Sequence, residues 1–290
     1  MRQPTVQDAP QLRAEAEAAS GHLPALILAA ERLAAMVAPG AHGLRRAGPG
    51  EDFWQYRPAS QGDSLRAIDW RRSGRSDAQF VRDREAQTAQ SAAIWISDGA
   101  GMDHAGGDRT TKLQRGRLIA LALSMLMLRG GEKVAMLGQP ARAGRLQADR
   151  IAEALVRPGD RDDAPISALR PQQRVILISD FLTDPLWLEA FLAHASGMGA
   201  RGLLLQILDP DEAHFPFDGA VDFRGVSGSE RHLSRDAGSL REAYLARLAE
   251  RQRWLGVQAA RSGWQSMCHI TDEDPANALA SLWSALGGGR

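Results

Sequence analysis

The tripeptide Ile-Ser-Asp ends two apolar stretches of the sequence, at residues 96–98 and 178–180. A third apolar stretch ends in Asp209. Each stretch is typical of a buried strand, so we expect Asp98, Asp180 and Asp209 at the carboxyl edge of one sheet, where open α/β folds bind ligands. Carboxylate oxygens suit Mg²⁺, so one interpretation is a divalent-cation site. The other is that each Asp only caps the loop or helix that follows it.

Several enzyme classes lack their motifs. Residues 99–101 read Gly-Ala-Gly after a strand, but His104 stands where a dinucleotide-binding turn needs its third glycine. The sequence contains neither a Gly-x-x-x-x-Gly-Lys-Ser/Thr loop nor a Gly-x-Ser-x-Gly elbow. The seven histidines show no zinc-ligand spacing. These absences argue against a Rossmann cofactor site, a P-loop ATPase, the commonest serine hydrolase and a zinc site.

A second candidate site is the Arg/Trp segment, residues 61–75, which reads QGDSLRAIDWRRSGR. Its arginines alternate with aspartates, so a self-neutralising network is as plausible as a phosphate-binding patch. Arginines beside tryptophans can also stack on nucleic-acid bases. The neighbouring acidic residues make nucleic acid the less favoured of these partners.

Composition narrows the class of protein further. The 290 residues carry 35 basic and 35 acidic side chains, so the formal net charge is zero and no overall polyanion-binding character is indicated. The single cysteine, Cys268, excludes an internal disulfide and fits a reducing compartment. Apolar runs are too short to cross a bilayer, and the start does not resemble a signal peptide. We expect a cytoplasmic protein without membrane insertion.

Apolar strands alternate with helices from residue 91 onward. We expect strands over 91–97, 133–137, 174–179, 202–208 and 264–270, and helices over 110–129, 148–156, 185–196, 240–261 and 275–286. Such strands, separated by helices, indicate a mostly parallel sheet covered on both faces, which is an α/β fold. Residues 11–38 have helical apolar spacing and predict two helices broken near Gly21 and Pro24.

The Arg/Trp segment and its flanks resemble a known family, the domain-of-unknown-function family number 58. The matching residues are Phe53, Arg57, Gly62, Asp63, Arg66, Ile68, Asp69, Trp70 and Arg75. The likeness extends from about residue 50 to residue 219 and includes both Ile-Ser-Asp strand ends. It implies a von Willebrand factor A-like α/β domain with a mostly parallel six-stranded sheet flanked by helices. The implied domains are a helical segment over 1–40, a β-rich Arg/Trp signature module packed on the sheet over 41–87, and the α/β domain over 88–290.

The same resemblance bears on the metal. In von Willebrand A domains the metal-ion-dependent adhesion site begins Asp-x-Ser-x-Ser, and a later strand end adds a second Asp. Asp98 and Asp180 match those carboxylates, but Ala100 and Met102 stand in place of the serines and offer no hydroxyl oxygen. The resemblance therefore implies a degenerate metal site at Asp98 and Asp180, with no cofactor expected and Mg²⁺ as the remaining alternative.

Members of this family are usually encoded beside MoxR-type AAA+ ATPases. The resemblance therefore implies a non-enzymatic scaffold or adaptor that works with such an ATPase, and with another von Willebrand factor A protein, in chaperone-like maturation of a client complex. The expected binding residues, either partner-facing or an internal brace, are Arg57, Asp63, Arg66, Asp69, Trp70 and Arg75. Two alternatives stay open: a metal-dependent hydrolase or nuclease using Asp98, Asp180 and Asp209, and a nucleic-acid-binding module using the Arg/Trp segment.

Overall fold

The computed structural model describes residues 8–37, 53–58, 80–84, 91–159, 161–225 and 231–287. The chain divides into two compact units, one formed by Met1–Ala41 together with Gln90–Arg290 and the other by His42–Ala89. In the smaller unit, β1 (Phe53–Pro58) pairs antiparallel with β2 (Phe80–Arg84). Of the expected binding residues, Arg57 lies in β1, and the five in the Arg/Trp segment lie outside the described residues.

The larger unit is built on a parallel sheet. Its strands are β3 (Ser91–Ile96), β4 (Lys133–Met136), β5 (Arg174–Ser179), β6 (Arg201–Leu208) and β9 (Gln265–Ile270). They lie in the order β4-β3-β5-β6-β9, and every neighbouring pair is parallel. The chain leaves β3 toward one side of the sheet to form β4 and later returns to the other side to form β5. The predicted α/β fold with a mostly parallel, helix-flanked sheet is confirmed.

The expected sixth strand is wrong for the described part of the chain, where this sheet has five strands. Arg142, which follows β4 in the chain, forms a single antiparallel bridge with Val134 of β4, and no ladder extends from it. The surrounding loop explains why. Gly138 and Gly144 adopt left-handed backbone conformations on either side of the bridge, and Pro140 has no N–H to donate to a ladder.

Helices cover both faces of the sheet. They are α1 (Asp8–Val37), α2 (Lys112–Arg129), α3 (Leu146–Val156), α4 (Leu186–Gly197), α5 (Pro210–His214), α6 (Arg241–Arg261) and α7 (Pro275–Ala285). Side chains alternate along each strand, so Ile176 and Ile178 of β5 join the core beneath α1, α2, α3 and α7. Val175 and Leu177 join the second core, beneath α4 and α6. No described helix is both long enough and apolar enough to cross a membrane.

The predicted break in the first helix is wrong, because α1 is one helix with Pro24 inside it. A proline removes one backbone hydrogen bond and crowds the preceding turn. Packing opposes this cost: Ala30, Leu33 and Ala34 are buried against the core shared with α2, α3 and α7. Because tertiary packing supplies most helix stability in proteins, the helix continues through the proline.

A β-hairpin that the sequence pattern did not indicate lies between α5 and α6. Its strands are β7 (Val221–Arg224) and β8 (Arg231–Ser234). Phe223 of β7 stacks on Phe215, which also contacts the ring of Tyr244 in α6. Burial in this aromatic cluster raises the pKa of Tyr244 to about 12. The cluster fastens the hairpin to the end of α5.

Candidate functional site

The two Ile-Ser-Asp copies lie side by side at the carboxyl edge of the sheet. Strands β3 and β5 are neighbours, Ile96 is opposite Ile178, and the backbone N–H of Ser97 donates to the carbonyl of Ile178 at 2.9 Å. Asp98 and Asp180 therefore follow adjacent strand ends. This is also the point where the chain's path through the sheet reverses, which is where open α/β folds place ligand sites.

Asp180 holds a buried lysine. The Lys112 ammonium donates to Asp180 Oδ2 at 2.8 Å and to Glu212 Oε1 at 2.6 Å, and the Lys112 side chain is 1% exposed. The second oxygen of Asp180, Oδ1, accepts the backbone N–H of Leu182 at 3.1 Å. Both acceptors of the ammonium are acidic, so the buried positive charge is compensated where it lies.

Local sequence explains how Lys112 reaches this edge. Thr111 caps α2 through a capping box with Gln114, which makes Lys112 the first helical residue. Side chains on a helix lean toward its N-terminus, so the lysine points back over the strand ends. A capping box also positions Glu212, because its other oxygen, Oε2, accepts the backbone N–H of Asp209 at the start of α5.

Asp98 has a different partner. Its carboxylate accepts the backbone N–H of Arg161 at 2.8 Å and two guanidinium hydrogen bonds, from Nη2 at 2.8 Å and Nε at 3.3 Å. The Asp98 side chain is 5% exposed and that of Arg161 is 61% exposed. The hydrogen bond to Asp98 raises the pKa of Arg161. The ion pair thus has one buried partner and one in water.

Asp209 caps α5 and holds a third cation. It accepts the backbone N–H groups of Asp211 and Gly106, and Arg109 Nη2 donates to it at 2.8 Å. Burial acts to raise the pKa of Asp209, but the hydrogen bonds from Arg109, Asp211 and Gly106 outweigh it, so the pKa lies below its usual range. Here the capping interpretation of a strand-end aspartate is the one that the structure bears out.

The loops approach these carboxylates closely because they carry glycine. A Cβ added at Gly101 would lie 3.0 Å from Asp180 Oδ2, and one added at Gly159 would overlap the carboxylate of Asp98. Any larger residue at Gly159 would force the carboxylate or its loop to move. At this edge of the sheet the loop backbone therefore lies directly against the carboxylates of Asp98 and Asp180.

These residues do not fit a divalent cation. Asp180 and Asp98 already accept from Lys112 and Arg161, while Ala100 has no oxygen on its side chain and Met102 is buried in the apolar core. Among the described residues, no group of three or more His, Cys, Asp or Glu side chains is arranged to hold a metal ion. The metal assignment of Asp98 and Asp180 has no support in this geometry.

Sequence reasoning missed the cations at this edge. Lys112, Arg109, Arg161 and the acidic Glu212 were not among the candidates. One signal for Lys112 was available, since it is one of only two lysines in the chain and follows a capping threonine at a helix start. The arginines carried no such signal, because arginine is frequent throughout the sequence and both lie far from their partners along it.

A parallel five-stranded sheet with helices on both faces makes the larger unit an α/β fold. Within that class the chain belongs to the family "Protein of unknown function DUF58", whose model matches residues 55–254. This confirms the family resemblance of the Arg/Trp segment.

The curated relatives are themselves uncharacterized. The chain is 28% identical over 209 residues to the uncharacterized proteins Mb1516 of Mycobacterium bovis and Rv1480 of Mycobacterium tuberculosis. Each match covers 65% of this chain and 65% of the relative, so the chain spans about two thirds of their length.

Two solved structures are also similar to this chain. One is an aerotolerance-related membrane protein from Bacteroides fragilis, at 17% identity and a TM-score of 0.39. The other is the conserved hypothetical protein BatB from Bacteroides thetaiotaomicron, at 15% identity and a TM-score of 0.40. Each match covers 69% of this chain and 99% of the other chain.

Proposed function

We propose that this protein is a non-enzymatic scaffold or adaptor. The observation that carries the proposal is the ion-paired carboxyl edge, where Asp98, Asp180 and Asp209 are each paired with a basic side chain of the same chain. General acid–base catalysis and metal-assisted hydrolysis both need a carboxylate that can exchange a proton or hold an ion. Carboxylates engaged in internal ion pairs favour a structural task for this edge.

An apolar patch beside the edge supports a docking role. Leu182 and Leu186 lie in and just after the loop that follows Asp180, and both side chains are exposed, Leu186 by 66%. Arg251 holds this loop by donating to the carbonyls of Phe181 and Thr183 at 2.7 and 2.6 Å. Two exposed leucines at positions fixed in this way offer an apolar contact that a partner protein can cover.

As the partner we propose a MoxR-type AAA+ ATPase, and with it a second von Willebrand factor A protein, acting in the cytoplasm on a client complex. The support is membership of the DUF58 family, whose members are usually encoded beside such ATPases. Arg57 and the Arg/Trp segment, with Asp63, Arg66, Asp69, Trp70 and Arg75, form the second proposed contact region or a brace within the chain.

Co-purification tests the proposal. The full-length protein, carrying a tag, is mixed with the neighbouring ATPase without nucleotide, with ADP, and with ATP and Mg²⁺. We expect a complex in at least one of these three conditions. The absence of a complex in all three would refute the proposal.

A matched pair of variants locates the contact. Leu186→Glu should weaken the complex by about tenfold or more, as removal of an apolar contact at an interface centre does. Leu233→Glu is the control, because Leu233 is 67% exposed on β8 of the hairpin and should leave the affinity unchanged. Equal weakening by both would place the contact elsewhere. Divalent-dependent hydrolysis that Asp180→Asn abolishes would instead favour the hydrolase alternative.

A further inference from the structure

The Lys112 ammonium is held between two carboxylates at this edge. Its ammonium contacts carboxylates that follow two neighbouring strands, Asp180 after β5 and Glu212 in α5 after β6. The side chain is almost wholly buried, so the charge is a fixed part of the interior. A lysine ammonium is a compact point charge with three donors, which resembles a small cation more closely than a planar guanidinium does.

The same carboxylate oxygens cannot serve an ion and the lysine together. The distances from Nζ to Asp180 Oδ2 and Glu212 Oε1, 2.8 and 2.6 Å, are those of charge-assisted hydrogen bonds. Mg²⁺ would demand these oxygens at about 2.0–2.1 Å in an octahedron. An ion in that place would lie against the ammonium, and two positive charges in a buried site repel strongly.

The remaining carboxylates of the edge are also occupied by cations from the chain. Arg161 holds Asp98 and Arg109 holds Asp209. Each of these carboxylates is thus paired with a cation of the same chain, and Lys112 is the most buried of the three cations.

We propose that Lys112 is a built-in substitute for a divalent cation. The carboxyl edge then keeps the same conformation at every ion concentration. A metal ion dissociates and its occupancy follows its concentration. A side-chain ammonium is covalently attached, so it does not dissociate and its presence does not depend on ion concentration. The inference deepens the proposed function, because it states that the docking edge of the adaptor needs no divalent ion.

Ion titration of the purified full-length protein tests this. Thermal unfolding is followed with EDTA and with Mg²⁺, Ca²⁺ or Mn²⁺ chloride, and Mn²⁺ uptake is counted by electron paramagnetic resonance. We expect no change of the midpoint and no stoichiometric Mn²⁺ uptake. Stoichiometric uptake that Asp180→Asn abolishes would overturn the inference.

The variant Lys112→Ala tests the same point in reverse. It leaves space between the carboxylates of Asp180 and Glu212, which have then lost their cation, so the variant should gain a divalent-ion site. The midpoint should rise by roughly 5 °C with the ion at about 100 times its dissociation constant. The double variant Lys112→Ala/Glu212→Ala is the control and should lose most of this gain. A folded Lys112→Ala protein that no ion stabilises would contradict the inference.

If Lys112→Ala does not fold, the titration of the unchanged protein decides by itself. None of these measurements uses the ATPase, so a failure here and a failure of the ATPase complex are separate results.

Discussion

The same tripeptide occurs at two neighbouring strand ends, and its two copies meet opposite environments. Asp180 is paired with a lysine that is 1% exposed, and Glu212 shares that lysine. Asp98 is paired with an arginine that is 61% exposed. Identical local sequence in matching register therefore yields one ion-pair network with a buried cation and one ion pair with an exposed cation.

The difference shows that burial of the cation decides how much each ion pair contributes to the stability of the fold. An exposed guanidinium retains much of its hydration, so its pair with Asp98 contributes little and salt screens it. A buried ammonium has lost its hydration, so removing Lys112 leaves two carboxylates without their cation, and removing Asp180 leaves the ammonium with Glu212 alone. We expect the Asp180 region to respond to mutation far more strongly than the Asp98 region.

The largest expected effect is that of Lys112→Met. It leaves Asp180 and Glu212 without their cation in a buried site, and the free energy of unfolding should fall by about 3–5 kcal/mol. Urea denaturation followed by circular dichroism measures the change. The control is Lys133→Met, at the exposed start of β4, which should change stability by less than about 0.5 kcal/mol. Similar losses in both variants would contradict the contrast between the two regions.

The next effect compares the two copies directly. Asp180→Asn should cost about 3 kcal/mol because it leaves the buried ammonium with a single carboxylate. Asp98→Asn should cost about 1 kcal/mol, since Arg161 can turn to water and the amide oxygen still accepts its backbone N–H. The same denaturation experiment gives both values. The comparison fails if Asp98→Asn proves the more damaging change.

The third strand end adds a pH dependence. The pKa of Asp209 in the fold lies below its ordinary value of 3.8, because hydrogen bonds from Arg109, Asp211 and Gly106 outweigh burial. The folded state therefore binds fewer protons than the unfolded chain, and this contribution is complete above the ordinary value and lost as pH falls through the lowered one.

Asp209→Asn measures that contribution. The stability difference between parent and variant should be constant above about pH 5 and shrink in more acidic solution, by at most about 1.4 kcal/mol per pH unit. Thermal or urea unfolding of both proteins from pH 7 to pH 3 provides the test. A difference that grows with acidity would have the wrong sign and would refute the assignment.

The smallest expected effect is that of Arg161→Ala, about 0.5–1 kcal/mol at low ionic strength. Because Arg161 is largely in water, the loss should shrink further in about 1 M NaCl, where the screening length is about 3 Å. The loss caused by Lys112→Met should stay nearly the same at both salt concentrations. A salt-independent loss for Arg161→Ala would show that its pair with Asp98 is effectively buried.

Periodicity predicted the elements of the α/β unit well. Strand β5 was predicted with its observed bounds, and β3, α2 and α6 to within two residues, because buried strands and capped helices carry strong local signals. The hairpin of β7 and β8 and the short helix α5 were missed. Strands β7 and β8 are only four residues long, which is too short for a clear periodic pattern. An aromatic cluster that joins Phe215 to Tyr244 of α6 holds this part of the chain in place.

The sequence predicted the carboxylates of the candidate site but not the cations that pair with them. The strand-end aspartates were located correctly, since the carboxyl ends of parallel strands meet at one edge. Their partners were not predicted, because Lys112 is 68 residues from Asp180 and Arg161 is 63 residues from Asp98. A pairing over such separations depends on how helices and loops return to the sheet, which no local pattern encodes.

The sequence by itself therefore determined the α/β class, the family, and the place of three carboxylates at one edge of the sheet, because strand periodicity and chain order are local properties. Only the tertiary structure decided that cations from the chain itself neutralise those carboxylates. It also decided that one copy of Ile-Ser-Asp faces a buried ammonium and the other an exposed guanidinium. The physical reason is that contacts between distant segments set burial and charge pairing. Burial and charge pairing in turn decide whether an aspartate binds an ion, takes part in catalysis or stabilises the fold.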